Sequence, residues 1–384
     1  MHDTMAGCSP IRRAKARTAV CRMVFHHTIL ATICFCLILL SVAGCDHKMD
    51  LSTLPQSQIA VLDTAYIAVD PVFGGFSGPE DILIGRDQLL YVADTRANRV
   101  VMMNLAGQFM SSRSIIHPFA IAQDSRLDLL VGCEIIAATG DTTGAILRMH
   151  LVSQNPDSAH HLEVSPIDTV WRERAHPARR FPGIAVLSDN TYLASRTGPD
   201  NSSFIDPDGR VLMFAAQDRF ITPVPAFATG VGTGIGSINF LTGITAFPNS
   251  RDFVLIQSSE GIAYGALWMV YQSNADFQGW LPRFDPANAS DRAVDFIRPN
   301  RFVSPQGVAI DPSRRDIFIA DAGLDSIFKF NSRGVFKSES FGRVRTDGIM
   351  RRPTGIAYFS TILYVLDRDL GMVLRFRLST DVPR

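Results

Sequence analysis

The body of this 384-residue chain has almost no cysteine. Cys8, Cys21, Cys34, Cys36 and Cys45 all fall before residue 46, and Cys133 stands alone after it. No disulfide framework can form within the body, so a packed core must stabilise it. An excess of one charge is also missing, with Lys and Arg numbering 37 and Asp and Glu 37. Nucleic-acid binders carry a basic surplus or stripe, and that class of partner is excluded. Long apolar runs are scarce: residues 28–43 form one, and it is short for a membrane span. No G-x-S-x-G nucleophile elbow occurs. The histidines do not fall at matching places in three repeats, which a three-His metal site would need.

The apolar run follows a basic stretch, Arg12, Arg13, Lys15, Arg17 and Arg22, and ends in Val42-Ala43-Gly44-Cys45. Small residues before a Cys at the end of such a run resemble the lipobox of bacterial lipoproteins. The resemblance implies that residues 1–44 are a signal peptide and that Cys45 carries lipid. The mature chain is then exported and held at the cell envelope by acyl chains rather than by a span. Residues 45–57, polar with Ser, Thr and Pro, read as a tether. Met1, Met5 and Met23 are alternative starts. Removing residues 1–44 takes away five basic and one acidic side chain, leaving 32 basic against 36 acidic, a mildly acidic body. Cys133 lies in an apolar strand pattern and reads as a buried, inert thiol.

What the body does contain is a repeat. Residues 304–334 hold three short β-branched and aromatic runs separated by turns rich in Asp, Pro, Ser, Asn and Gly. The same order recurs six times. Its first strands begin Pro79-Glu-Asp-Ile82, Pro118-Phe-Ala-Ile121, Pro182-Gly-Ile184, Thr242-Gly-Ile244, Pro305-Gln-Gly-Val308 and Pro353-Thr-Gly-Ile356. Second strands follow at a nearly fixed distance, ending at Asp94, Cys133, Ser195, Ser258, Asp321 and Asp367. Constant spacing within units and variable length between them is the mark of packed blades joined by loops.

The pattern P-x-G-[IV]-A followed by [LI]-[YF]-[VI]-A-D resembles the NHL repeat, whose copies form the blades of a β-propeller. The expected fold is all-β: a six-bladed propeller of four-stranded antiparallel blades over residues 58–384. Small residues in each first strand suit the crowded centre of the ring. Asp94, Asp321 and Asp367 are expected to bond the amides two residues on and fix the next turn, with Ser a weaker substitute. The last unit lacks room for a fourth strand, so residues 58–69 are expected to supply it and close the ring. Outer strands are expected near 168–173 and 293–297. Residues 229–243, Gly-rich, read as a flexible crossing rather than a phosphate cradle, because no helix pattern follows.

Residues just before each first strand should meet at one mouth of the central channel. They are Glu80, Asp81, His117, Arg179, Arg180, Phe240, Ser304, Gln306, Arg351 and Arg352. Of these, Glu80, Asp81, His117, Arg180, Gln306 and Arg352 form the candidate ligand site, with Arg forks suited to carboxylates. No metal site and no cofactor are expected, a calcium held by Glu80, Asp81 and carbonyls being the one exception considered. The leading expectation is a monomeric, non-catalytic module binding a protein, peptide or glycan at the envelope. The alternative is a metal-assisted hydrolase or lyase at the channel mouth, because lactonases and the peptide-amidating lyase are propellers of similar architecture.

Overall fold

The computed structural model describes residues 64–138, 140–152, 162–203, 205–229, 234–342 and 348–382. The signal segment, Cys45, the tether and residues 58–63 lie outside them.

Six antiparallel sheets follow one another along the chain. Each runs from an inner strand outward. The inner strands are Asp81–Ile84, Ala120–Gln123, Arg180–Val186, Leu241–Ala246, Pro305–Ile310 and Pro353–Phe359. We number the blades 1 to 6 in that order. In blade 6 the inner strand is followed by Ile362–Asp367 and Met372–Leu378, and the fourth strand is Tyr66–Ala68 from the other end of the chain. Tyr66 pairs with Leu378 and Ala68 with Phe376. Phe73–Gly74 also pairs with Met372–Leu378. The ring is therefore closed by strands from both ends, as the repeat count required.

Alternation within each strand builds the core. Leu90 and Val92 of blade 1 pack toward blade 6, while Tyr91 and Ala93 pack toward blade 2. Both faces of a blade are covered, so its strands read as continuous apolar runs instead of alternating ones. The result is six hydrophobic clusters, one in each gap between neighbouring blades. Each fully buried Leu, Ile, Val or Phe in them contributes roughly 1.5–3 kcal/mol. Cys133 is fully buried in the gap between blades 1 and 2, and burial pushes its thiol up to about 12, consistent with an inert role.

Several local expectations are corrected. The outer strand of blade 4 is Gln278–Pro282, not residues 293–297. The Asn274 side chain accepts from the Asp276 and Phe277 amides, closing a tight hairpin that brings this strand back at once. Asp295–Ile297 is a single 3-10 turn, with Phe296 buried edge-on against Trp268 and Phe330 between blades 4 and 5. The outer strand of blade 2 is Ile167–Arg172, one residue from the expected position. Of the Gly-rich crossing, the described part makes a short parallel bridge, Ala228–Thr229 with Ser237–Ile238.

The recurrent aspartates act further than expected. Asp321 accepts from the Gly323 amide two residues on at 2.9 Å, but also from Val303 at 2.8 Å and Ser304 at 2.9 Å, just before its own blade's inner strand. Asp367 likewise accepts from Arg351 at 2.6 Å and Arg352 at 3.0 Å, and Asp94 from Ser77 at 2.6 Å. These fully buried carboxylates thus hold the backbone of the channel mouth. In blade 4 the same task falls to Gln257, which accepts from Asn239, and not to Ser258. In blade 3 the position after Ser195 is Arg196, buried with acidic partners, so the charge is inverted there.

Candidate functional site

The six inner strands enclose a cavity of about 530 Å³. At one register level they present Asp81, Ala120, Gly183, Gly243, Gly307 and Gly355, each paired with the second strand of its blade. The crowding is direct. A β-carbon on Gly183 would lie 2.7 Å from the Ile244 amide nitrogen, and one on Gly307 2.6 Å from the Thr354 carbonyl. Gly183, Gly307 and Gly355 each point at the next blade's inner strand, and five of the six positions have little or no side chain. Asp81 is the exception. Its carboxylate reaches blade 2, where Oδ2 accepts from the Ile121 amide at 2.8 Å, while Oδ1 accepts from its own neighbour Ile82 at 2.8 Å.

Asp81 lines the cavity. Removal from bulk water raises its carboxyl to about 7; the two amide donors oppose that shift and Glu80 adds to it. Glu80, also on the cavity wall, is likewise pushed upward by burial, while Arg368, Arg180 and His117 draw it down. Arg368 NH2 lies 3.1 Å from Glu80 Oε1.

The mouth is organised by equivalent positions. Three residues before each ring position stand Gly78, His117, Arg180, Phe240, Ser304 and Arg352. In blade 2 the residue after the second-strand position supplies a partner: Glu134, nearly buried, is held by His117 Nδ1 at 2.8 Å and by Arg180 NH2 at 3.1 Å. Arg180 also lies over the Phe119 ring at 5.0 Å. With Nδ1 given to Glu134, the imidazole Nε2 of His117 has no hydrogen-bond partner among the described residues. Gln306 donates to Ser304 Oγ at 2.9 Å, beside Ser258.

The expected site is therefore assembled in part. Glu80, Asp81, Arg180 and Gln306 line the cavity. His117 does not line it; Glu134 joins it to the cavity-lining Arg180. Arg352 does not line it; its side chain is exposed, its backbone is held by Asp367, and Arg368 takes its place on the wall. Arg179 is not at the mouth either. It is 2% exposed in an ionic cluster with Glu173, Asp206 and Asp208, which it shares with Arg196. Glu134 and Arg368 were missed by sequence reasoning, although both follow directly on a second-strand position that the alignment had located.

Backbone strain marks two mouth residues. At the common position three before the ring, Gly78, His117 and Phe240 have φ of 54°, 40° and 47°. Glycine adopts this region freely, whereas a residue with a side chain is strained there by about 1–3 kcal/mol.

Among the described residues, no group of three or more His, Cys, Asp or Glu is gathered as a metal cage. A calcium ion on Glu80 and Asp81 would share these carboxylates with Arg368, which pairs with Glu80 Oε1, and with the Ile121 and Ile82 amides, which donate to Asp81.

No family model matches the chain, and no curated protein does. Solved structures do. The PQQ-bound aldose sugar dehydrogenase of Streptomyces coelicolor is similar at a TM-score of 0.55 and 14% identity, over 83% of this chain and 99% of that one. Regucalcin of Agrobacterium tumefaciens, a calcium-binding protein, gives 0.55 and 10%, over 83% and 97%. A luciferin-regenerating enzyme gives 0.53 and 13%, over 82% and 95%. At these identities the likeness establishes the six-bladed propeller and nothing finer.

Proposed function

We propose that the chain is an enzyme acting on a small anionic molecule at the channel mouth, by acid–base chemistry of the hydrolase or lyase kind. One observation carries this reading: a single carboxyl, Asp81, stands in a ring otherwise made of Gly and Ala, where burial raises it to about 7. A group so tuned can take a proton and return it at working pH. Arg180 and Arg368 supply guanidinium forks for a carboxylate or a developing oxyanion. His117, oriented by buried Glu134, offers a second proton carrier through Nε2. The cavity has the volume of a small-molecule site, which favours this reading over docking of a protein, peptide or glycan. Dehydrogenases and a luciferin-regenerating enzyme share the architecture, an analogy of fold only.

The lipobox resemblance completes the proposal: the propeller is NHL-like, exported, and tethered at the envelope through Cys45.

The test is turnover of a panel of small lactones and esters bearing a carboxylate, by the purified body and by Asp81→Asn, with metal content measured in parallel. Turnover whose pH profile turns near 7 and which Asp81→Asn abolishes is the expected result. Absence of turnover across the panel, together with no binding of simple carboxylates, would overturn it.

A further inference from the structure

Phe240 is an aromatic side chain that lines the cavity, remains 44% exposed, and has a left-handed backbone with φ of 47°. The backbone is pinned there by the Ser258 amide, which donates to the Phe240 carbonyl at 3.0 Å. If conformation were the only demand, the position would be glycine. Blade 1 provides that comparison within the same molecule, because Gly78 occupies the equivalent site at φ 54°. Little packing compensates Phe240 for the strain, since nearly half of the residue faces solvent. The side chain stands at a conformational cost on the cavity wall, with 44% of the residue exposed.

Blades 2, 3 and 4 are consecutive and present His117, Arg180 and Phe240 at this one position. An imidazole, a guanidinium and a phenyl ring stand in sequence around that half of the mouth. Blades 5, 6 and 1 offer Ser304, Arg352 and Gly78, with no ring among them. We infer that Phe240 is a stacking platform, and that the ligand of this mouth is a cyclic carboxylate whose ring lies on Phe240 while its anionic group meets the arginines. The inference rests on the anion-holding part of the proposed function and adds the ring to it.

Calorimetric titration of the body with benzoate, cyclohexanecarboxylate and open-chain hexanoate separates the two. The expected result is that at least one cyclic acid binds about fivefold or more tightly than hexanoate, and that Phe240→Gly loses this preference. Phe240→Gly should melt at or above the parent's temperature, because it relieves the backbone, so weakened binding is not a folding defect. Phe240→Tyr should keep the preference. Equal affinity for cyclic and open-chain acids, or a preference that survives in Phe240→Gly, would overturn the stacking role and leave the anion site standing. Binding of none of the three acids would overturn the anion-holding reading and this inference with it.

Discussion

The carboxylate of Asp81 and the amide of Ile121 are joined at 2.8 Å across the gap between blades 1 and 2, where other blades bring glycine against backbone. One side chain therefore has two duties, bridging blades and facing the cavity. They can be separated by pH. Burial raises this carboxyl to about 7 from an ordinary value near 4. Between those values the folded chain keeps a proton that the unfolded chain has released, so the stability it contributes declines as pH rises through this window and is level above it. The effect is on the order of a few kcal/mol at 1.36 kcal/mol per unit. Asp81→Asn should flatten the fall in melting temperature between about pH 5 and 8, while losing one of the two amide hydrogen bonds that the carboxylate accepts. Calorimetric scans at several pH values check this; identical slopes in both proteins would mean that Asp81 titrates as an ordinary carboxyl.

Closure of the ring depends on Tyr66. Its ring packs on Phe318 at 5.9 Å and Phe341 at 5.4 Å, with buried Lys329 5.6 Å from its centre. Tyr66→Ala should cost about 3–5 kcal/mol in urea unfolding, in line with large-to-small changes in packed cores. A loss within experimental error would show that Tyr66–Ala68 is dispensable.

Asp321→Ala should strip the partner from three amides, Val303, Ser304 and Gly323, while Leu324 keeps its bond to the Asp321 carbonyl. At about 1–3 kcal/mol for a buried group left unpaired, the expected loss is several kcal/mol. Asp321→Asn, which keeps one carbonyl acceptor, should recover part of it. Hydrogen exchange at those three amides gives the local reading: protection should fall there first.

Cys45→Ser tests the anchor. The parent should fractionate with membranes and carry acyl chains by mass spectrometry, and the variant should lose both properties. A parent that is soluble and unacylated would remove the lipoprotein reading.

The blade count, strand order and ring closure were legible because strand spacing is fixed by hydrogen bonding within a blade and repeats six times. Long-range choices were less so. The outer strand of blade 4 was misplaced because Gln278–Pro282 follows a hairpin signal no stronger than its surroundings, while Phe296 and Ile297 read as strand but fill a gap between blades. At the mouth, the position of Arg180 followed from the repeat, yet its partner Glu134 did not, because their meeting joins residues 46 apart on different blades. Arg368 was missed for a similar reason: that it, and not Arg352, lines the cavity is decided by side-chain direction, which the repeat does not encode.

Since every hydrophobic cluster is shared by two blades, none of the six units owns a complete core. A chain made from its N-terminus onward has its earliest described strand, Tyr66–Ala68, waiting unpaired until Met372–Leu378 has also been made. Until that final encounter the partly made ring exposes one raw sheet edge and one uncovered apolar face, and in that interval the protein is most open to chaperones, proteases and its own neighbours.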